Sequence, residues 1–389
     1  MRTAAPGALL VLIMAQPNMA TGMMPYYRHA WTLAPLLITA IFAAYLFALT
    51  PTLSLLGTPP SRRSWWWRIG AGSGFGVAAD AAMAVAHSPW PVVVARVCAG
   101  VSVGLVTGSL AGLILERKGE GGRTAMAVAT VLGSALGTIA AAVVAQYLPA
   151  PGVTVYLAHA ALLAVVAVAV LGDRAVRPAS QGRTGAPAPT AFEPPIVGYL
   201  SGIAAWVSAG LVVALLPSYG AELLGTTNLA ILALPVTLYL VTAWLAQRAI
   251  PPNRLAAEPV SAQWIIIAGV ALGAAVSWIP NLALLLCAGA VAGCGQGLAY
   301  RAGLRIVSAT TPPDQHARSA SRFAGVAYAC AAVSTLALGA IATVASMRDA
   351  VLAAAAVLVL AATATTVVRR RATARAADSL PAQQISTTA

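Results

Sequence analysis

The chain has 389 residues and a formal net charge of +13, yet only 8% of its residues are charged and 59% are hydrophobic. A soluble protein carries charge on about a quarter of its residues, so this composition excludes a soluble globular fold. The basic residues lie in short groups between apolar runs and form no basic domain, which argues against a nucleic-acid partner.

Apolar runs long enough to cross a bilayer recur along the whole chain, which predicts an all-α integral membrane protein. A hydrocarbon layer of about 30 Å requires about 20 residues per helix. Twelve spans meet that length at 7–24, 33–56, 69–87, 90–114, 124–147, 153–171, 195–217, 228–247, 262–279, 281–305, 323–345 and 350–368. The first span follows Arg2 as a signal peptide would, but its apolar stretch continues to Met24 and many spans follow, which favours a retained helix.

The distribution of basic residues predicts the orientation. Of the 23 lysines and arginines, 20 lie at one set of alternating span ends, whereas Arg28 and Arg348 lie at the other set. The remaining one, Arg96, lies inside a span. The positive-inside rule therefore predicts a multi-pass plasma-membrane protein with both termini in the cytoplasm.

One long break divides the chain into two halves. Residues 172–194 are rich in Pro, Ala and Gly and have no apolar face, which is typical of a linker. The predicted organisation is a six-helix bundle at 1–171, a cytoplasmic linker at 172–194, a second six-helix bundle at 195–372 and a disordered cytoplasmic tail at 373–389.

The two halves share a short pattern on their fourth spans. The sequence CAGVSVGLVTG at 98–108 has the spacing of CAGAVAGCGQG at 287–297. The equal rank and direction of the two spans favour a parallel internal repeat about an axis along the membrane normal; the alternative is chance similarity between two Gly/Ala-rich helices. Small residues so spaced predict close helix packing, at Gly100, Gly104, Gly108, Gly112, Gly289, Gly293 and Gly297.

The architecture and the fourth span together resemble the major facilitator superfamily, whose members are secondary transporters with two six-helix bundles. Arg96 and the glycines that follow it are similar to the fourth-helix motif of that family, Arg-x-x-Gln-Gly with further spaced glycines, although Ala99 replaces the Gln. The cytoplasmic loop 2/3 signature of the family, Gly-x-Leu-Ala-Asp-Arg-x-Gly-Arg-Arg, is matched only by Gly57 and Arg62. Ser61 replaces the acid that belongs to the gating cluster, which puts the usual gate chemistry in question.

Two charges inside the spans are candidates for function. A cation in a span costs about 2.5–3.5 kcal/mol on insertion scales, so Arg96 is expected to face a cavity or to snorkel to the outer surface. Asp80, the only acid well inside a span, lies at a similar depth on the neighbouring span by its helical rise. We expect an Asp80–Arg96 ion pair, which either couples proton movement to the transport cycle or is static. His159 is interpreted as a buried hydrogen-bonding residue and not as a metal ligand.

Polar and aromatic residues on the spans that line the cavity in the resembled family are candidate substrate contacts. They are Gln16, Asn18, Tyr45, Trp206, Tyr239, Gln296, Tyr300 and Tyr328. Such a cavity, with one fixed cation and mostly neutral walls, suits a small amphiphilic or neutral molecule or a weak anion.

The resulting functional prediction is a secondary active transporter working by alternating access, with protons driving export of small amphiphilic compounds. The alternatives are uptake of a small anion or neutral metabolite, and a sensor that binds its ligand without moving it. An enzyme is not expected, because no metal-ligand spacing, nucleophile elbow or paired intramembrane carboxylates occur in the sequence. The expected partners are the substrate, the lipid bilayer and protons; neither a cofactor nor a metal is expected, and the chain is expected to be a monomer.

Overall fold

The computed structural model describes residues 5–56, 65–118, 121–173, 194–312 and 315–386, which form thirteen α-helices and one 3-10 helix. The first half contains α1 (Ala5–Trp31), α2 (Pro35–Leu56), α3 (Trp65–Ala84), α4 (Pro89–Lys118), α5 (Gly121–Tyr147) and α6 (Pro151–Leu171). The second half contains α7 (Pro195–Ala214), α8 (Leu216–Leu224), α9 (Leu229–Ala249), the 3-10 helix Leu255–Ala257, α10 (Pro259–Ala275), α11 (Leu282–Ala309), α12 (His316–Val344) and α13 (Met347–Ser386).

The all-helical fold class predicted from the sequence is confirmed. Eleven of the twelve predicted spans each fall on one helix, and the twelfth, 195–217, covers α7 and the start of the short α8. Within the described residues, ten helices are long and apolar enough to cross a membrane. Two further helices, α3 and α10, match predicted spans but are not among those ten. Of these, α10 is apolar but has only 17 residues. The count of twelve spans therefore stays a prediction.

The structure differs from the sequence prediction in two element boundaries. The predicted span 195–217 breaks near Leu215, where α7 ends and α8 begins. Pro217 accounts for the break, because proline has no N–H to donate and its ring crowds the carbonyl one turn earlier. At the other end of the chain, α13 continues to Ser386, through most of the tail for which disorder was predicted. Gly57, Arg62 and nearly all of the 172–194 linker lie outside the described residues.

Helix packing in the two halves follows the same pattern at the spaced glycines. A Cβ on Gly100 would collide with the backbone of α2 at Tyr45, and one on Gly293 would collide with the backbone of α9 at Tyr239. The fourth span of each half thus packs on the second span of the same half. Gly112 departs from the prediction, because a Cβ there meets no atom within 4 Å and the site is open.

The two halves meet mainly through α2 against α12 and α5 against α9. In span numbers, these contacts join span 2 to span 11 and span 5 to span 8. The proposed repeat relates span 2 to span 8 and span 5 to span 11, so it converts one contact into the other. At the end where α1 ends and α2 begins, the predicted outer end, side chains bridge the halves. Arg28 donates to the Ser218 carbonyl at 3.1 Å and pairs with Glu222 at 3.3 Å.

Candidate functional site

A cavity lies between the two halves. Six helices line it: α1, α2 and α4 from the first half, and α7, α9 and α11 from the second. Its polar and aromatic lining residues are Asn18, Phe42, Tyr45, Arg96, Trp206, Tyr239 and Gln296. Because both halves contribute to one wall, a movement of one half against the other would reshape this cavity.

Arg96 is the charged residue of the cavity wall and is only 3% exposed. Its Nη1 donates to the Pro17 carbonyl at 2.6 Å and its Nε donates to the Ile41 carbonyl at 3.2 Å. The guanidinium also lies 4.8 Å from the centre of the Tyr45 ring and 5.9 Å from that of Phe42. Backbone carbonyls and ring faces lower the cost of burying this cation.

The expected ion pair between Asp80 and Arg96 is wrong. The Asp80 carboxylate is fully buried and lies against α6, where its Oδ2 is 2.6 Å from Nδ1 of His159. Arg96 forms no ion pair with any carboxylate among the described residues. The two charges lie on neighbouring helices, but their side chains point to different partners because depth along a helix does not fix direction around it.

Asp80 and His159 belong to a buried network that includes α1. Nε2 of Gln16 donates to Oδ1 of Asp80 at 3.1 Å and to the Gly76 carbonyl at 2.5 Å. The second imidazole nitrogen of His159 lies 3.0 Å from the Leu12 carbonyl. Gln16, predicted as a cavity residue, is therefore placed in this network and is not part of the cavity lining.

Three solved structures that match this chain in fold are those of transporters. The nucleoside transporter NupG matches with a TM-score of 0.72 and 13% identity, over 94% of this chain and 98% of that one. A point mutant of NupG matches with a TM-score of 0.75 and 14% identity, over 95% and 100%. A bacterial homologue of the human lysosomal transporter Spinster, in an inward-facing and occupied conformation, matches with a TM-score of 0.67 and 13% identity, over 95% and 96%.

The chain has the major facilitator fold. The resemblance that the sequence indicated is thus confirmed at the level of fold. No protein-family model matches the sequence. A search of curated proteins also finds no match.

Within this major facilitator fold, aromatic residues of the second half form a cluster behind the cavity. Trp206 lines the cavity, and its ring meets Tyr328 edge-on at 4.3 Å and Tyr300 at 6.3 Å between centroids. Tyr300 and Tyr328, both predicted as substrate contacts, therefore support Trp206 from behind. The Trp206 Nε1 is buried and has no hydrogen-bond partner in the described structure, so this cavity-lining residue carries an unpaired donor.

Sequence reasoning missed Phe42 in the cavity wall, and it interpreted His159 as a buried hydrogen-bonding residue without identifying its partner. Phe42 lines the cavity and contacts Arg96, yet nothing in its apolar surroundings on α2 distinguishes it. His159 had a signal, because a histidine inside an apolar span needs a polar partner. That partner, Asp80, is 79 residues away in the sequence. Among the described residues, no cluster of three His, Cys, Asp or Glu side chains could hold a metal ion.

Proposed function

We propose that this protein is a secondary active transporter of the major facilitator superfamily, and that small molecules bind in the cavity at Arg96. Movement of the two halves about that cavity exposes it alternately to the two sides of the membrane. One observation carries the proposal: six helices from both halves surround a cavity lined by the buried cation Arg96 and by Trp206, whose buried indole N–H has no partner among the described residues.

The cavity chemistry supports a small amphiphilic substrate. Phe42, Tyr45 and Trp206 offer ring faces to an apolar body, while Arg96 and the indole N–H offer donors to an acceptor group. In our proposal the inward movement of protons drives export of such compounds. The amphiphilic character of the substrate is supported by walls that are mainly aromatic and aliphatic and by a cation held, among the described residues, only by backbone carbonyls and ring faces.

A second candidate is the uptake of a neutral, nucleoside-like metabolite. The amides of Asn18 and Gln296 line the same cavity and can both donate and accept. Aromatic walls with amide edges suit a flat, polar heterocycle, and two of the matching structures are of a nucleoside transporter. The amide edges therefore favour a narrow substrate range, whereas the ring faces favour a broad one.

The experiment is an accumulation assay in a bacterial host that lacks its own efflux pumps and nucleoside transporters. Cells expressing the wild type, Arg96→Ala or Arg348→Ala are compared with empty vector, with and without a protonophore. Labelled dyes, antibiotics and nucleosides form the panel. Arg348 is the matched control, since it also stacks on an aromatic ring, that of Trp278 at 4.1 Å, but lies outside the cavity lining.

Export predicts lower accumulation of amphiphiles in wild-type and Arg348→Ala cells, and loss of that difference with Arg96→Ala or the protonophore. Nucleoside uptake predicts the opposite sign, with higher accumulation that again depends on Arg96. If purified protein binds a compound that neither cells nor proteoliposomes transport, the protein is a sensor and the transporter proposal fails.

A further inference from the structure

The hydrogen-bond geometry of the buried Asp80–His159 pair indicates how many protons the pair holds. The Leu12 carbonyl can only accept a hydrogen bond, so Nε2 of His159, 3.0 Å away, carries a proton. Nδ1 lies 2.6 Å from Oδ2 of Asp80, a distance that requires a second proton between the two atoms. The pair therefore holds one proton more than a neutral imidazole beside an ionised carboxylate.

Loss of that proton would break one of the two contacts of His159. If Nε2 keeps donating to Leu12, the lone pair of Nδ1 faces the lone pairs of the Asp80 carboxylate across 2.6 Å. If Nδ1 keeps donating to Asp80, the lone pair of Nε2 faces the Leu12 carbonyl across 3.0 Å. A net negative charge would also remain on a fully buried side chain, which is costly in a medium of low polarity. The pair with this proton and the pair without it must therefore have different geometries, either at Asp80 on α3 or at the Leu12 carbonyl on α1.

We propose that Asp80 and His159 form a proton-binding site that is separate from the substrate cavity and is connected to it through α1. This inference rests on the proposed transport function and specifies how the proton acts on it. The ligand of the new site is a single proton, and the cavity residues are not its carriers.

The connection lies in one short segment of α1. The Leu12 carbonyl and the Gln16 amide bind His159 and Asp80, whereas the next carbonyl, that of Pro17, accepts the hydrogen bond from Arg96. Pro17 lies inside the helix and provides no backbone N–H, so α1 lacks one of its own hydrogen bonds at this turn. A shift of Leu12 and Gln16 on unloading thus acts on the carbonyl that holds Arg96.

Few other ionisable groups lie near the pair. Tyr156 on α6 lies within electrostatic range of both Asp80 and Arg96, and its hydroxyl lies 3.1 Å from that of Tyr27 on α1. On α4 the neighbouring charge is Arg96 itself, and on α5 the only ionisable residue between 125 and 147 is the exposed Tyr147.

The second half shows that the helix pair does not need ionisable residues to pack. The corresponding helices, α10 and α13, are joined by a buried hydrogen bond of 3.1 Å from Gln263 to Thr365. That neutral contact carries no exchangeable charge. Packing alone therefore does not account for the acid and the imidazole between α3 and α6.

The test separates substrate movement from proton coupling in proteoliposomes. Exchange of labelled substrate against unlabelled substrate needs the cavity alone, whereas accumulation against a gradient needs the imposed pH difference as well. We expect Asp80→Asn and His159→Gln to keep exchange and to lower proton-driven accumulation by about tenfold, a typical coupling between sites. Thr365→Val, the matched neutral control, should retain both activities.

Two outcomes would overturn the inference. One is accumulation at the wild-type level in Asp80→Asn and His159→Gln. The other is loss of exchange together with accumulation in both variants, which would mean that the pair is only structural.

A second measurement does not depend on transport and so remains decisive if the wild type moves no substrate. Infrared difference spectra of purified wild type minus Asp80→Asn are recorded from about pH 5 to pH 9, the range in which imidazole titrates. A carboxyl or imidazole band that changes with pH in the wild type supports the proton site even where the transport proposal fails. A difference spectrum that is constant with pH rejects the site.

Discussion

The guanidinium of Arg96 and the ring of Tyr45 lie 4.8 Å apart in the wall of the cavity that separates the two halves. The arginine is held by this ring and by carbonyls of α1 and α2, with no carboxylate among its described partners. Its charge is thus supported by dipoles and is not neutralised. A ligand with an acceptor or anionic group would find an uncompensated cation there.

Replacement of Arg96 by lysine keeps the charge but removes the planar fork that reaches the Ile41 and Pro17 carbonyls together. We expect substrate binding to weaken by about tenfold in Arg96→Lys, because a misplaced charge-assisted hydrogen bond of about 1.5 kcal/mol is lost. Arg96→Ala should weaken binding further. Titration of substrate against purified protein measures both, and equal affinities for wild type and Arg96→Lys would contradict the assigned role.

The unpaired indole N–H of Trp206, a buried donor on a cavity-lining residue, gives a second prediction. Trp206→Phe keeps a ring against Tyr328 but removes the donor, so compounds with a carbonyl or hydroxyl acceptor should bind about 2- to 12-fold more weakly, which corresponds to one hydrogen bond of about 0.5–1.5 kcal/mol. Analogues without that acceptor should bind the variant and the wild type equally. The comparison requires dissociation constants for one matched pair of compounds, and an equal loss for both would show that the ring and not the donor matters.

The sequence predicted the fold better than the site because the two depend on different information. Apolar length and the alternation of basic residues report where helices cross the membrane, and these patterns are local. The Gly100 and Gly293 rows also predicted close helix contacts, which the structure places against equivalent helices. By contrast, the partner of Asp80 is set by the rotation of α3 about its axis against α6, and no local pattern encodes that rotation.

Depth alone explains the error over Asp80. The helical rise places Asp80 and Arg96 at similar levels, and opposite charges at one level on neighbouring helices favour a pair. The structure instead brings His159 from α6 to within 2.6 Å of the acid and leaves the arginine to carbonyls of α1 and α2. The partners of Arg96 are backbone carbonyls, which every residue has. Matching side-chain types along a sequence therefore cannot identify them.

Two glycines that are indistinguishable in the sequence should respond differently to substitution. A Cβ on Gly293 would overlap the Tyr239 carbonyl on α9, whereas a Cβ on Gly112 meets open space. Gly293→Ala should therefore destabilise the protein by about 1–3 kcal/mol through overpacking, while Gly112→Ala should be neutral or slightly stabilising because alanine favours the helix. Thermal unfolding in detergent measures the difference, and equal midpoints for the two variants would reject the close α9–α11 contact.

The contact of Arg28 with α8 joins the halves at the predicted outer end and should bias the transport cycle. The Arg28 and Glu222 side chains are 29% and 53% exposed, so their ion pair contributes at most about 1 kcal/mol. Glu222→Gln should therefore raise the population open to the outside by about fivefold or less. Arg28→Ala should raise it further, because the bond to the Ser218 carbonyl is lost as well.

The population open to the outside can be followed at Asn18, which lines the cavity on α1. In a variant with Asn18→Cys and the four natural cysteines replaced, the rate of labelling by a membrane-impermeant thiol reagent in right-side-out vesicles reports outer access. Arg348→Ala is the control, since Arg348 lies near the same end but stacks on Trp278 within the second half. Labelling should rise in the order wild type, Glu222→Gln, Arg28→Ala; unchanged rates in both variants would mean that other contacts, such as α2 with α12, hold the outer end closed.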